Sequence, residues 1–260
     1  MAHNARHDRI LEILARCGEA AVGELAREFR VNEVTIRRDL KALESRGLLR
    51  RTHGGAVFSR ADSVAFAFEH RRQMHLQAKD AIARSVAEQI APGATISLDT
   101  GSTTLQVARH LAGKAGLKVL TSSLAVASAL YMHENVEVIL LGGQVRRGSG
   151  NLGGIITEDN LRRFRVELGI VGADACGPDG LYTTDVGVAR VSQAMLFGAQ
   201  RSILVADSSK FVSTAFVQFA GWDDIDEVVT DDGISASSRE WLRGIAPAVT
   251  YVTVDATSGR

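Results

Sequence analysis

A glycine flanked by hydroxyl residues stands in the stretch DTGST, which runs from Asp99 to Thr103. It follows the apolar, β-branched run ATISL and precedes a helix-like segment, Thr104–Ala112. Glycine lets a backbone approach an oxyanion closely, the amides of a helix N-terminus donate to the anion, and serine and threonine hydroxyls add donors. The pattern therefore indicates a phosphate-binding loop. A helix cap without a ligand is the alternative, because serine and threonine are common at helix starts.

Other polar or glycine-rich motifs follow apolar runs between residues 117 and 210. These motifs are Thr121–Ser123, Gly142–Gly143, Gly172–Asp174 and Asp207–Lys210. The runs alternate with helix-like segments, which is typical of a mostly parallel sheet covered on both faces, and such sheets bind ligands at the carboxyl ends of their strands. The predicted ligand-binding residues are Asp99, Thr100, Gly101, Ser102, Thr103, Thr121, Ser122, Ser123, Gly143, Asp174 and Lys210.

Four charged residues near these motifs have candidate roles. Asp174 is the best candidate for contacts with ligand hydroxyls, because an ionised carboxylate accepts two or more hydrogen bonds. Lys210 could bind the ligand or pair with Asp207. Arg146 and Arg147 could bind a phosphate, face a neighbouring subunit or lie in a solvated loop.

Residues 6–57 predict a different module, three helices followed by a hairpin. Apolar residues recur at helical spacing in the first two segments. They are Ile10, Leu14 and Cys17, then Val22, Leu25, Ala26 and Phe29. We expect the third helix to start near Glu33 with Asn32 as its N-cap. Its predicted core side consists of Ile36, Leu40 and Leu43.

The outward side of the third helix carries polar and basic residues. Short polar residues followed by arginines suit insertion of the helix into the major groove of DNA. Thr35 can contact a base edge, and arginines can bridge guanine O6 and N7 or clamp phosphates. The hairpin LLRRTHGGAV, with a Gly54-Gly55 turn, predicts a wing. The predicted DNA-contacting residues are Asn32, Thr35, Arg37, Arg38, Lys41, Arg50, Arg51 and His53. Small three-helix units also bind proteins, and a charged helix face is often only solvated.

The charge distribution favours DNA. The 260-residue chain has zero net charge, but residues 1–57 carry eleven Lys/Arg against eight Asp/Glu. Between Arg37 and Arg51, six basic residues stand against two acidic ones. A basic end on a neutral chain indicates that one module meets a polyanion.

The composition, with 45% hydrophobic and 23% charged residues, is that of a folded soluble protein. Cys17 and Cys176 match no metal spacing, so we expect two buried, reduced thiols, no metal and no cofactor. The N-terminus lacks the apolar segment of a signal peptide, and no apolar run reaches about 18 residues. We therefore expect a cytoplasmic location and no membrane partner.

The segment VNEVTIRRDLKALESRGLLRRTHGGA, residues 31–56, closely resembles the winged helix-turn-helix signature of DeoR-type bacterial transcription regulators. Asn32 stands where that family usually has serine, and either residue can cap a helix. The resemblance implies a DNA-binding regulator.

The motifs TGST, Thr121-Ser122, Gly172–Asp174 and ADSSK at 206–210 resemble the ribose-5-phosphate isomerase fold, in the same order. In that fold the TGST loop holds the sugar phosphate. Where the isomerase has DGADE, this chain has VGADA, so Val171 and Ala175 replace carboxylates, and a lysine followed by a glycine run is missing. Isomerisation needs a carboxylate base. The resemblance thus implies a phosphate site without most of the catalytic residues.

A retained phosphate loop without those catalysts is similar to the sensor domain of DeoR-type regulators, which binds phosphorylated sugars or related metabolites. The resemblance then covers essentially the whole chain. Many members carry an acidic residue and a lysine in the helix after TTD, whereas GVARVSQAM stands here, with Ser192 at the expected lysine position. This difference implies that the effector can differ from the family's commonest ones.

These patterns and resemblances predict an α/β protein with an N-terminal winged helix-turn-helix at 1–57, a linker at 58–78 and a larger isomerase-like, mostly parallel α/β sensor domain at 79–260. Within the linker, AFAFEHRRQMH could form a helix. The expected function is repression of a sugar or polyol catabolic operon, with release from double-stranded operator DNA by a phosphorylated sugar or polyol.

Operator recognition needs at least two DNA-binding modules, so we expect a homo-oligomer, a dimer or tetramer held by the C-terminal domain. No catalytic residue is expected. The alternative function is a sugar-phosphate isomerase with an accessory DNA-binding module. A protein–protein scaffold would leave the arginines of the third helix without a role.

Overall fold

The computed structural model describes residues 2–45, 48–57, 68–146, 148–246 and 248–254. The chain divides into two compact units, one made of Met1–Gln73 with Arg147–Ser149 and the other of Met74–Arg146 with Gly150–Arg260. Residues 58–67 of the predicted linker lie outside the described residues, and 68–73 are helical.

Helices and a small sheet make up the first unit. Besides the helical residues 68–73, its helices are α1 (Ala2–Cys17), α2 (Val22–Phe29) and α3 (Glu33–Ser45), and its strands are β1 (Glu19–Ala21), β2 (Arg50–Arg51) and β3 (Gly55–Val57). The strands pair antiparallel in the order β1-β3-β2. The predicted helices and hairpin are confirmed. Strand β1 has no counterpart in the sequence prediction, because three residues carry too little periodicity to identify a strand.

The predicted core side of α3 is confirmed, since Ile36, Leu40 and Leu43 are fully buried. Two other predictions for this unit are wrong. Gly55 is not a turn residue but pairs with Ala21 in the sheet, where a Cβ would lie 2.2 Å from the Ala20 carbonyl oxygen. Cys17 is exposed rather than buried, because it is the last residue of α1 and the chain turns away at Gly18.

The second unit is built on a parallel sheet. Its strands are β4 (Thr95–Leu98), β5 (Leu117–Thr121), β6 (Val136–Leu140), β7 (Gln144–Arg146), β8 (Asn151–Gly153), β9 (Val166–Val171), β10 (Ala175–Gly177), β11 (Gly180–Thr183), β12 (Ala199–Val205), β13 (Val217–Ala220), β14 (Glu227–Asp231) and β15 (Val249–Val252). Its helices are α4 (Leu76–Gln89), α5 (Ser102–Leu111), α6 (Leu124–Leu130), α7 (Ile155–Arg162), α8 (Val186–Gly198) and α9 (Ala236–Ile245).

Within the described residues the main sheet has seven strands in the order β15-β14-β12-β9-β4-β5-β6, and every neighbouring pair is parallel. The predicted fold class is confirmed. The chain leaves β4 in one direction through β5 and β6, then returns to the other side of β4 with β9. This reversal creates a crevice outside the carboxyl ends of β4 and β9, the usual position of a ligand in such sheets.

Two small sheets escape the sequence prediction. Strands β7 and β8 form an antiparallel hairpin, and β10, β11 and β13 form an antiparallel sheet. Their strands of three or four residues are too short to show an alternating pattern. Helix α5 begins at Ser102, two residues before its predicted start, so Ser102 and Thr103 lie in its first turn.

Candidate DNA interface and effector site

The start of α3 has the predicted cap. The Asn32 Oδ1 atom accepts hydrogen bonds from the Thr35 N–H at 2.8 Å and from the Thr35 hydroxyl at 2.7 Å. The cap satisfies an amide that the helix leaves without a backbone partner. Since the Thr35 hydroxyl already donates to Asn32, a contact with a base acceptor requires that bond to be exchanged, whereas the hydroxyl oxygen can still accept from a base donor.

The basic residues predicted to contact DNA are exposed, but they differ in their present partners. Arg37 Nη2 pairs with Glu33 Oε2 at 2.6 Å, one helical turn away. Among the described residues, Arg38 and Lys41 have no hydrogen bond or ion pair through their side chains. The predicted wing residues Arg50, Arg51 and His53 are also exposed, and the Arg51 N–H donates to Glu44 Oε1 at 2.9 Å.

A buried carboxylate on α3 is a feature that sequence reasoning missed. Asp39 is fully buried, and its Oδ2 accepts from Arg6 Nε at 2.6 Å, while Oδ1 lies 3.3 Å from Arg6 Nη2 and from His7 Nε2. Burial alone would raise the pKa of Asp39, but the hydrogen bonds from Arg6 and His7 outweigh it and hold the pKa below its usual value. This cluster fixes α3 against α1. A charged residue within the TIRRDL pattern was the only signal for it.

The predicted phosphate-binding loop lies at the start of α5. Gly101 is the N-cap, and no side chain of the described residues caps the helix. Thr104 Oγ1 donates to the carbonyl oxygens of Asp99 and Gly101 at 2.8 and 2.9 Å, which fixes the loop. Ser102 and Thr103 are buried in the first turn. The first-turn amides are therefore left for an oxyanion or water.

Asp99 lies at the crevice between β4 and β9. Its N–H donates to the Ile170 carbonyl at 3.0 Å, and its Oδ2 accepts from the Gly172 N–H at 3.2 Å. The other oxygen, Oδ1, is buried without a hydrogen-bond partner among the described residues. Burial raises the pKa of Asp99, and the nearby charge of Asp174 adds to the rise, while hydrogen bonds from Thr100 and Gly172 oppose it.

The motif after β5 divides into structural and unpartnered groups. Thr121 Oγ1 donates to the Leu98 carbonyl at 2.8 Å, and Ser123 Oγ accepts from the Val126 N–H at 3.2 Å as the cap of α6. Both side chains therefore have a role in the fold. The Ser122 hydroxyl is fully buried and has no hydrogen-bond partner in the described part of the chain.

The predicted residues at the ends of β9 and β12 have different surroundings. Asp174 Oδ2 accepts from the Thr183 hydroxyl at 2.9 Å and from the Thr184 N–H at 3.0 Å. Asp207 Oδ1 accepts from the Ser209 N–H at 3.2 Å. Within the described residues no ion pair joins Asp207 to Lys210, a half-buried residue whose ammonium makes no hydrogen bond there. Of the two roles considered for Lys210, the pair with Asp207 is thus absent from this structure.

The segment from Gly143 to Arg146 begins the hairpin. Gly143 has φ +119°, and a Cβ there would lie 2.0 Å from Thr157 Oγ1, so packing within the protein already requires glycine at this position. Arg146 Nη2 pairs with Asp185 Oδ2 at 2.5 Å, which ties the hairpin to the start of α8. Arg147 lies outside the described residues.

The fold thus brings the ends of β4, β5 and β9 to one crevice, while Gly143 and Lys210 follow β6 and β12 at the same edge of the sheet. Asn151 and Asp185, which the sequence patterns did not single out, lie there as well. In the described part of the chain, no group of three or more His, Cys, Asp or Glu side chains could hold a metal ion. No helix among those residues is long and apolar enough to span a membrane.

Comparisons with known proteins identify the family. The model of the DeoR-like helix-turn-helix domain matches residues 6–61, and that of the DeoR C-terminal sensor domain matches residues 74–232. The glycerol-3-phosphate regulon repressor of Escherichia coli K12 is 35% identical over 232 residues, which cover 89% of this chain and 92% of the relative. The transcriptional repressor CsqR of the same organism is 36% identical over 242 residues, 92% of each chain.

The lactose phosphotransferase system repressor of Lactococcus lactis is 32% identical over 243 residues, 92% of this chain and 95% of the relative. Among solved structures, ribose 5-phosphate isomerase A from Neisseria gonorrhoeae matches with a TM-score of 0.39 and 19% identity over 52% of this chain and 53% of the isomerase. Because both family models match and these repressors are similar over most of their length, the chain belongs to the DeoR family and is a DNA-binding regulator of transcription.

Proposed function

We propose that the chain represses a sugar or polyol catabolic operon and that a phosphorylated sugar or polyol releases it from operator DNA. The observation that carries the effector's chemistry is the loop at α5, where first-turn amides stand beside buried polar atoms of Asp99 and Ser122 without partners. Unpartnered buried groups cost free energy, so a ligand or water that satisfies them is expected. Relatives named for glycerol 3-phosphate and for a lactose phosphotransferase system support this class of effector.

In this proposal the predicted residues keep their roles. The residues from Asn32 to His53 named above contact DNA, and those from Asp99 to Lys210 contact the effector. Residues 1–57 read the operator, 58–78 connect, and 79–260 sense the effector. Arg38 and Lys41 support the first role because their exposed side chains are not engaged elsewhere in the described residues.

Effector binding changes operator affinity only if the ligand binds two states of the protein with different affinities. We therefore propose a dimer or tetramer whose DNA-binding modules have two arrangements, one of which fits the two half-sites of an operator. Access to chromosomal DNA places such a regulator in the cytoplasm.

The isomerase alternative has little support from the crevice. Val171 and Ala175, which replace the carboxylates of the isomerase pattern, are buried apolar residues. Asp174 has its Oδ2 engaged by Thr183 and Thr184. A proton transfer between adjacent carbons needs a base that reaches the substrate. We therefore propose a sensor without catalytic activity.

Fluorescence anisotropy of the full chain on DNA from upstream of its own gene tests the proposal. The titration is repeated at one stated salt concentration with a panel of sugar and polyol phosphates, and with the matching unphosphorylated sugars as controls. We expect tight binding that one phosphorylated compound weakens at least tenfold. Operator binding that no compound changes would contradict the effector proposal, and consumption of a compound would favour the isomerase.

A further inference from the structure

The hairpin of β7 and β8 contributes a residue that the sequence motifs do not include. Asn151 is the first residue of β8 and is buried, with 6% of its surface exposed. Its backbone pairs with Arg146 on one side and forms a bridge with Ser123 on the other. Two neighbouring segments thus hold Asn151 in place, and it stands between the motif after β5 and the arginine that reaches α8.

The side-chain amide oxygen of Asn151 lacks a partner. Its Oδ1 atom is buried and accepts no hydrogen bond from the described residues. The Ser122 hydroxyl and Asp99 Oδ1 are likewise buried without a hydrogen-bond partner among the described residues. Leaving a buried polar atom unpaired costs about 1–3 kcal/mol, so several such atoms at one edge of a sheet indicate that something else binds them.

The register of the sheet places these groups on adjacent elements. Leu98 pairs with Thr121, so the next residues, Asp99 and Ser122, leave neighbouring strands side by side. The Leu152 N–H donates to the Ser122 carbonyl at 2.7 Å, which brings β8 against the end of β5. The hairpin therefore lies beside the phosphate-binding loop.

The hairpin is also tied to the other side of the crevice. Directly opposite residues of an antiparallel pair project to the same face, so Asn151 shares its face with Arg146. Arg146 pairs with Asp185. Thr184, the residue before Asp185, donates its N–H to Asp174 Oδ2 at the end of β9. That face of the hairpin is thus connected to the end of β9, where the effector is proposed to bind.

We propose that Asn151 is a specificity-determining residue of the effector site, whose amide accepts a hydrogen bond from a hydroxyl of the ligand's carbon chain. The inference rests on the proposed function and assigns different contacts with the ligand to two parts of the site. The loop at Gly101–Thr103 holds the phosphate, whereas Asn151, beside Ser122, distinguishes hydroxylated phosphates from inorganic phosphate. An amide oxygen suits this role because it accepts a hydrogen bond from a hydroxyl and carries no charge that would repel a phosphate.

Isothermal titration of the full chain tests the inference with inorganic phosphate, glycerol 3-phosphate, ribose 5-phosphate and mannitol 1-phosphate as probes. The quantity compared is the selectivity ratio, the Kd for inorganic phosphate divided by the Kd for the tightest hydroxylated probe. The variants are Asn151→Leu and the smaller, still polar Asn151→Ser. Gln144→Ala is the matched control, because Gln144 is an exposed residue of the same hairpin.

We expect both Asn151 variants to lower the selectivity ratio at least about fivefold, with the Kd for inorganic phosphate unchanged, while Gln144→Ala keeps the ratio of the unaltered chain. An unchanged ratio in the folded variants would show that water or another protein group satisfies Asn151, and it would overturn the inference. Thermal unfolding and operator binding identify any variant that fails to fold. If Asn151→Leu fails to fold, the selectivity ratio of Asn151→Ser tests the inference.

Failure of the proposed function has a different signature. If the unaltered chain binds none of the probes, or binds them no better than inorganic phosphate, both the effector proposal and the role of Asn151 are wrong. If the unaltered chain is selective and Ser102→Asp abolishes binding, but the Asn151 variants keep full selectivity, only the role of Asn151 is wrong.

Discussion

Arg146 and Asp185 form an ion pair, 2.5 Å between Nη2 and Oδ2, that joins strand β7 to the residue preceding helix α8. Asp185 has a second task, because its Oδ1 accepts from the N–H groups of Gly187 at 2.8 Å and Val188 at 3.1 Å. One carboxylate therefore caps a helix and anchors the hairpin beside the crevice where the effector is proposed to bind.

This double role predicts unequal effects of removing the two partners. Asp185→Ala loses the helix cap, worth about 1 kcal/mol, as well as the ion pair. Arg146→Ala loses only a partly exposed ion pair, worth about 0.2–1 kcal/mol. Urea unfolding of both variants measures the loss in the free energy of unfolding. Equal losses in Arg146→Ala and Asp185→Ala would contradict the double role of Asp185.

The buried carboxylate of α3 predicts a large loss of stability in Asp39→Asn. The variant leaves the Arg6 guanidinium without its charge partner, which we expect to cost about 3 kcal/mol, the low end for a broken buried pair, because Arg6 reaches solvent. Unfolding at pH 7 measures this cost. Glu28→Gln, at an exposed carboxylate of α2 in the same unit, is the control and should change little.

The same pair predicts a pH dependence. The pKa of Asp39 is lowered on folding, so its stabilising contribution is fully present above the unfolded-state pKa of about 3.9 and is lost as the pH falls through the lower folded-state value. The difference in stability between the unaltered chain and Asp39→Asn should therefore shrink as the pH falls below about 4. A difference that grew on acidification would refute the lowered pKa.

The two adjacent arginines of α3 are expected to differ in their effect on operator binding. Arg38→Ala should weaken specific binding by about 1–3 kcal/mol if the guanidinium reads a base. Arg37 must first exchange its pair with Glu33, a weak surface interaction, so Arg37→Ala should cost less. Anisotropy titrations on operator and on random DNA compare the two losses, and equal effects of Arg38→Ala on both DNAs would assign Arg38 to the phosphates.

A phosphate contact has its own signature in the salt dependence. Lys41→Ala should weaken binding to operator and random DNA alike and reduce the slope of log Kd against log salt by about 1, because one fewer counterion is released. The same titrations at three salt concentrations measure the slope. An unchanged slope would place Lys41 away from the backbone of the DNA.

The phosphate-binding role proposed for the loop at Gly101–Thr103 predicts separate effects on effector sensing and on DNA binding. Ser102 lies in the first turn of α5, so Ser102→Asp should abolish release by the effector, since its carboxylate occupies the anion position and repels a phosphate. Operator affinity without effector should stay the same. Ser102→Ala, which removes one donor and adds no charge, should retain most of the response. Normal release of the Ser102→Asp protein by the effector would remove this loop from the site.

Long sequence patterns were sufficient to predict the helices and strands that they encode. The core positions Ile36 and Leu40 repeat at helical spacing, the apolar runs of the second unit became the parallel strands, and Asn32 caps α3 as expected. These features depend on neighbours a few residues apart, which a sequence displays directly. The family resemblance likewise rests on contiguous motifs, and the comparisons confirm it.

Which polar groups have partners could be seen only in the folded chain. Asp39 meets Arg6 across 33 positions of sequence, and Asn151 lies next to Ser123 through a short hairpin with no periodic signal. The folded chain also showed that packing against Thr157 already requires Gly143 and that Asp185, overlooked in the sequence, holds Arg146. Such facts depend on residues distant in the chain that the fold brings together, and no local pattern records them.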